Sequence, residues 1–333
     1  MSAWAPDYHG ADADADGEEF PEASVIQVVA VVGPTGSGKT ALGIEIADAL
    51  ETEIISADSM QFYRGMEIGT GAPSADELAA VKHHFIGHLT PDQEMSAGDY
   101  EIEARSVVKA LNEAGKPAVV VGGSGLYVRA LIDGMFDGPG KDEGIRRVLE
   151  AEAEDSGIAT LYGRLEAIDP EYAEVISSND LRRTVRALEI YDVSGEKASD
   201  LYSRHQATRK SLDAVQFAID YPREELYARI NRRVDQMLEM GLIGEIERLE
   251  KEGYSKDIMR LKSLGYREML SYVKGEREYE DSVELMKMHT RRYAKRQLTW
   301  FRGDSRVRYL DSRTHTTGMF RLKHVMGVVK AGM

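Results

Sequence analysis

Residues 33–40 read GPTGSGKT and follow directly on the apolar run at 25–32, VIQVVAVV. The octapeptide has the form G-x-x-x-x-G-K-[ST]. Its glycines Gly33, Gly36 and Gly38 let the backbone wrap, so that successive N–H groups around Thr35 and Ser37 point inward at phosphate oxygens. Lys39 adds a positive charge on a mobile stem, and the Thr40 hydroxyl is placed to reach Mg²⁺. A helix starting near Lys39 turns its positive dipole end on the same anion. The context matches, with a β-branched strand before the loop and the helical spacing Ala41, Leu42, Ile44, Ile46, Ala47 and Leu50 after it. Such a loop binds phosphate. It does not say that the phosphate is ATP or that a phosphoryl group moves.

Working outward, strand and helix patterns alternate. Strands are expected at 25–32, 53–57, 85–89 and 118–121, and helices after the loop, at 100–114 and from 126 onward. This alternation predicts a parallel sheet covered by helices on both faces. Ligands of such sheets lie beyond the carboxyl ends of the strands, where the loop, Asp58 and Gly122–Ser124 can meet. After the turn at 137–140 the chain reads as helical and highly charged to 210, with a helix capped by Asn179 and stopped by Gly195. A strand at 215–220 returns to the sheet, and a long helix follows at 224–241. The fold class is therefore α/β, a P-loop NTPase-like parallel core with a mostly helical insertion. Its parts are an acidic tail at 1–24, core at 25–136, insertion at 137–210, and core with basic helices at 211–333.

The chain has 333 residues, 42% of them hydrophobic, and no cysteine, which excludes disulfides and Cys-based zinc sites. Its eight histidines show no metal-ligand spacing, and His83–His84 reads as strand packing. No apolar run reaches transmembrane length and the start lacks a signal-peptide pattern, so the cytoplasm is the expected location and no membrane partner is implied. The net charge of −15 argues against nucleic acid until its distribution is considered. Residues 1–22 carry seven acids and no Lys or Arg, and this tail is expected to be disordered. Residues 287–308, read as one basic helix, hold eight bases against the single acid Asp304, which suits a directed anionic partner.

Asp58, in DSMQFYRGMEIGTGAPS at 58–74, places a carboxylate just past the second strand, facing the anion loop. Spacing alone leaves it open between a turn former, an outer ligand of Mg²⁺ acting through water, and a general base.

At this point the chain resembles a known family, the tRNA dimethylallyltransferases, also called tRNA isopentenyltransferases. The segments that carry the resemblance are GPTGSGKT, DSMQFYRGMEIGTGAPS, VGGSGLYVRALIDG at 121–134, NDLRRTVRALEIY at 179–191, REELYARINRRVDQML at 223–238, LGYREM at 264–269 and TRRYAKRQLTWFR at 290–302. They stand in family order. The resemblance implies transfer of a dimethylallyl group from dimethylallyl diphosphate to N6 of adenosine 37 in the anticodon stem-loop of tRNAs reading codons that begin with U.

The phosphate loop would then hold the diphosphate leaving group, with Arg223 as a further diphosphate contact. Asp58 matches the family's proposed general base, with Lys39 and Thr35 assisting. Ser59, Met60, Gln61, Ser124 and Arg146 match positions near the flipped base and its neighbours, and Arg182, Arg183 and Arg186 match the tRNA-contacting stretch. No Cys/His pair stands near the C-terminus, so the resemblance is to the bacterial type, and a monomer with no protein partner is expected. The rival readings are an adenine-nucleotide (AMP or ADP) isopentenyltransferase and a P-loop metabolite kinase, which the loop, Thr40 and Asp58 would serve equally.

Overall fold

The computed structural model describes residues 26–136 and 138–332. The acidic tail lies outside the described residues. By their contacts, residues 133–211 form one compact unit, and 26–132 with 212–332 the other.

The larger unit is built on six parallel strands: β1 (Val28–Val32), β2 (Ile54–Ser56), β3 (His83–His84), β4 (Ala118–Gly122), β5 (Ala214–Asp220) and β6 (Val307–Asp311), in the order β3-β2-β4-β1-β5-β6. In register, Val32 lies beside Gly122 on one flank and Ala218 on the other, and Ser56 beside Val121. The segments leaving β1, β2 and β4 therefore emerge side by side.

β1 is apolar at every position because a strand in the middle of a parallel sheet is buried on both faces. Val29 and Val31 face α1 (Lys39–Ala49) and, later in the chain, α11 (Arg223–Glu239) and α16 (Gly318–Ala331). Val28, Ala30 and Val32 face the side where Tyr100, Ala104 and Val108 pack. Helices α2 (Glu67–Thr70) and α3 (Ala75–Ala80) lie between β2 and β3, followed by α4 (Ala97–Glu113) and α5 (Gly125–Asp133).

The smaller unit is entirely helical: α6 (Glu143–Ser156), α7 (Ile158–Ile168), α8 (Pro170–Val175), α9 (Leu181–Ser194) and α10 (Ala198–Thr208) surround a core that includes Leu149, Leu161, Leu165, Val185 and Leu188. After β5 come α11 (Arg223–Glu239), α12 (Leu242–Lys251), α13 (Ser255–Leu261), α14 (Tyr266–Val273) and α15 (Tyr279–Arg302). These form a further core with Tyr63 and Met66 before β6 and α16 (Gly318–Ala331) close the chain.

Three local expectations are corrected. Residues 85–89 do not form a strand. Phe85 takes a left-handed φ of +64° that breaks the extended backbone and turns its ring onto Tyr100, 5.2 Å between centroids, leaving only Leu89 to bridge Tyr63. The cap of α9 is Asp180 rather than Asn179, its side chain accepting the Arg183 N–H. The basic stretch at 287–308 is not one helix: α15 ends at Arg302, and Val307 and Leu310 turn inward as the edge strand β6. The loss of helical phase after Gly303 comes from strand pairing with β5, a long-range partner that local spacing does not reveal.

Close approach of β2 and β4 explains Gly122. A Cβ there would lie 2.2 Å from the Ala57 carbonyl oxygen. Gly122→Ala is therefore expected to destabilise the larger unit by about 3 kcal/mol, at the upper end of overpacking costs. Thermal unfolding followed by circular dichroism checks this, and an unchanged midpoint contradicts it.

Candidate active site

The loop at 33–40 runs from the carboxyl end of β1 into α1, with positive φ at Gly33 (123°), Gly36 (79°) and Gly38 (85°). Gly38 caps α1 without a side chain to accept its first N–H groups. Ser37 N–H turns back to the Pro34 carbonyl at 3.4 Å and Thr35 N–H goes to Gln297 Oε1 at 2.9 Å. Among the described residues no protein acceptor meets the N–H groups of Gly36, Gly38, Lys39 and Thr40. Four amides left open around one turn, at a helix N-terminus, form an anion cradle. The loop is held from behind by Arg229, whose Nε donates to the Gly36 carbonyl at 2.8 Å. Ser37 is itself fully buried, its hydroxyl bonded to the Pro34 carbonyl, so it shapes the turn.

Three half-buried charges share this site. The Lys39 ammonium donates to the Pro34 carbonyl at 2.8 Å, and burial draws it down to about 8, against the attraction of Asp58 and with the repulsion of Arg233. Burial raises the Asp58 carboxyl above the ordinary carboxylate range, against the pull of Lys39, the Met60 N–H (3.2 Å) and Arg233. The Arg233 guanidinium is lowered by burial against Asp58 and Glu77, yet an arginine stays charged. Its Nη2 donates to the Gly71 carbonyl at 3.1 Å, while its Nε is buried without a partner. A Cβ on Gly71 would lie 1.8 Å from Nη2, which is why glycine stands there. Two cations, one carboxylate and a ring of open amides leave an excess of positive potential for a diphosphate-sized anion.

The segment after β2 is fixed from several sides. Ser124 Oγ accepts the Ser59 N–H at 3.0 Å and lies 3.2 Å from the Ser59 hydroxyl. Gln61 is tied at both ends of its amide, to Ser56 (3.2 Å) and to the Gly71 carbonyl (3.1 Å). The Tyr293 hydroxyl, near Asp58, Ser124 and Gln297, is pushed up to about 12 by burial and by the Asp58 charge, and stays neutral. The Thr40 hydroxyl carries no hydrogen bond among the described residues and borders a small cavity with Ser56, Gln61 and Pro73. The Thr40 hydroxyl is an oxygen donor of the kind Mg²⁺ takes.

A family model described as IPP transferase matches residues 61–304. The tRNA dimethylallyltransferase 2 of Geotalea uraniireducens is 42% identical over 286 residues, covering 86% of this chain and 92% of that protein. The tRNA dimethylallyltransferase of Geobacter sulfurreducens is 40% identical over 288 residues, 86% and 93%. This chain belongs to the IPP transferase family. Among solved structures, the full-length tRNA isopentenylpyrophosphate transferase of Bacillus halodurans superposes with a TM-score of 0.66 at 36% identity, covering 93% of this chain and 98% of that one. A eukaryotic dimethylallyltransferase acting on tRNA gives 0.73 at 30% identity, 86% and 73%.

Of the residues singled out from sequence, the loop, Asp58, Ser59, Gln61 and Ser124 come together at the carboxyl ends of β1, β2 and β4. Met60 packs at the margin of the core formed by α11–α15. Arg223, at the head of α11, is exposed, its guanidinium 5.2 Å from the Tyr227 ring centre. The bases of α11 that reach the site are Arg229 and Arg233. They share a face with the buried stripe Leu226, Ile230 and Val234, and this i, i+4 placement was the available signal. Gln297 and Tyr293 had no local signal, because nothing in the sequence says which face of α15 meets the loop.

In the helical unit, Arg146 and Arg186 both hold the fully buried carboxylate of Glu189, at 2.8 Å and 2.7 Å, with the Asp142 N–H at 2.7 Å. Burial would raise Glu189, but these bonds override it and keep it below the ordinary range. Arg186 also donates to the Pro139 carbonyl at 2.8 Å. Arg182 and Arg183 are exposed, Arg183 lying 3.5 Å from Asp180.

The state of Lys39 gives a pH signature. The anion prefers the protonated amine, so affinity for inorganic pyrophosphate is expected to fall as pH rises through about 8. Lys39→Arg keeps its charge and should lack that limb. Titration calorimetry of both proteins across this range, which cancels the ligand's own ionisation, checks the expectation. Parallel curves contradict it.

Proposed function

We propose that this chain transfers a dimethylallyl group from dimethylallyl diphosphate to N6 of adenosine 37 of tRNA, releasing diphosphate. The observation that carries the reading is the half-buried, mutually interacting set Lys39, Asp58 and Arg233 together with four open loop amides, in a chain whose relatives are named tRNA dimethylallyltransferases. The bond from the allylic carbon to oxygen breaks as a bond to N6 forms. The electron pair leaves on diphosphate, and the N6 proton passes to the Asp58 carboxylate.

An aromatic amine is a weak nucleophile, so an acceptor for its proton helps, and a carboxylate whose affinity for protons is raised by burial suits that role. Developing charge on the leaving group meets the N–H groups of Gly36, Gly38, Lys39 and Thr40, the Lys39 ammonium and the unpartnered Arg233 Nε. We place Arg233 and Arg229 with the diphosphate-binding group, beside Arg223 at the mouth of α11. Mg²⁺ at Thr40, when bound, would neutralise diphosphate charge further.

Adenosine 37 has to leave its stack, at a cost of a few kcal/mol, roughly, that contacts elsewhere on the RNA offset. We assign those contacts to Arg182 and Arg183 on α9, and to Arg292, Lys295 and Arg296, exposed on α15. Arg146 and Arg186 support them by holding α6 and α9 to Glu189. No helix among the described residues is long and apolar enough to cross a membrane. The reading takes the enzyme as a cytoplasmic monomer.

The test is an incubation of purified protein and Mg²⁺ with labelled dimethylallyl diphosphate, offered unmodified tRNA or AMP. Label entering tRNA alone is expected. Label entering AMP alone, or phosphate transfer from ATP with no prenyl transfer, overturns the reading. Asp58→Asn is expected to bind tRNA normally and to lose turnover by about 10²-fold or more, the scale of general-base contributions. Turnover within a few-fold of wild type removes the base assignment.

Arg182→Ala with Arg183→Ala should weaken tRNA binding and lower its salt slope by about 2, without changing the melting temperature. Arg186→Ala, which strips a partner from buried Glu189, should lower the melting temperature as well. Gel-shift titrations over a salt series and thermal melts separate the two behaviours.

A further inference from the structure

We propose that Gln297 is a positioning residue for the transfer, clasping the anion loop to the turn that carries the base segment; the inference rests on the reading above. The segment TRRYAKRQLTWFR brings bases to the exposed side of α15, but its buried side has no assigned purpose. That side consists of Ala294, Gln297 and Phe301, and Gln297 is only 5% exposed. An amide in an otherwise apolar stripe is costly unless both its ends are satisfied. Here they are: Oε1 accepts the Thr35 N–H at 2.9 Å, and Nε2 donates to the Gly123 carbonyl at 2.9 Å. The orientation is forced, because a backbone N–H can only donate and a carbonyl can only accept. A Cβ on Gly123 would stand 2.2 Å from Nε2, so the glycine exists to admit this amide.

The clasp joins parts of the chain 262 and 174 residues away. By taking the Thr35 N–H it fixes the start of the loop, which leaves the four amides that follow aimed inward. By taking the Gly123 carbonyl it fixes the turn from β4 into α5. There Ser124 accepts from Ser59, the neighbour of Asp58. One side chain thus sets the loop against the segment that bears the base. Only a group that both accepts and donates at these two points can do so. Methionine does neither and a carboxylate only accepts, whereas a protonated carboxyl does both.

That chemistry makes the test. Affinity for inorganic pyrophosphate is measured by calorimetry without tRNA, alongside the donor KM and tRNA affinity, for wild type, Gln297→Met and Gln297→Glu. Losing two bonds of ordinary net worth should weaken pyrophosphate binding and raise the donor KM by about tenfold in Gln297→Met, with tRNA affinity unchanged. In Gln297→Glu the defect, taken as the ratio to wild type, should shrink as pH falls from about 8 to about 4.5, because burial at this position and the facing Gly123 carbonyl raise the introduced carboxyl above the ordinary Glu value of about 4.3 and let it take up its proton. In Gln297→Met the ratio should stay flat.

Values for Gln297→Met within about twofold of wild type, or a pH-independent ratio for Gln297→Glu, overturn the assignment, since a purely structural loss has no reason to be rescued by acid. Should Gln297→Met not fold, the pH series on Gln297→Glu decides alone. A wild type that binds pyrophosphate but transfers no prenyl group sinks the reaction assigned above, and the clasp then stands or falls on the pyrophosphate data.

Discussion

A backbone that holds an anion must leave its own N–H groups unmet by the protein. Around residues 33–40 this requirement decides which residues can stand where. Positive φ at three glycines turns the amides inward, and α1 begins at Gly38, where serine or aspartate would have spent an N–H on its own side chain. Lys39, Arg233 and Asp58 bring charge into a half-buried space, and each stabilises the charge of its opposite. The balance remains positive, which suits a bound polyanion. Without the sheet behind it the loop would have no fixed ends. Val32 beside Gly122 and Ala218 provides them.

The chain's bases divide by what already holds them. Arg146 and Arg186 are bound to buried Glu189, Lys287 to Asp235 and Arg291 to Asn231. Arg182, Arg292 and Lys295 face outward, without such partners among the described residues. A count of basic residues therefore overstates the surface available to RNA, and several arginines of the motifs serve as internal fasteners whose loss costs stability before it costs binding.

Much of this was legible in the sequence because its physics is local. Glycine spacing, an unbroken apolar run and an aspartate just past a strand act over a few residues, so the anion loop, the central strands and Asp58 could be read directly. The resemblance, carried by seven motifs in order, supplied the reaction and the family. Two of the three misreadings share one cause. Phe85 abandons extended backbone to reach Tyr100, and residues 303–308 leave the helix because β5 offers an open edge. Both partners are remote in sequence.

By itself, then, the sequence determined that an anion loop of backbone amides stands at the end of a parallel sheet, and that a carboxylate stands near it. Tertiary structure alone decided that the inward face of α11 meets the anion loop, that Arg186 serves Glu189, and that Gln297 joins Thr35 to Gly123. The reason is that a helix's periodicity says which residues share a face but not what that face meets. The meeting is set by sheet order and packing across hundreds of residues.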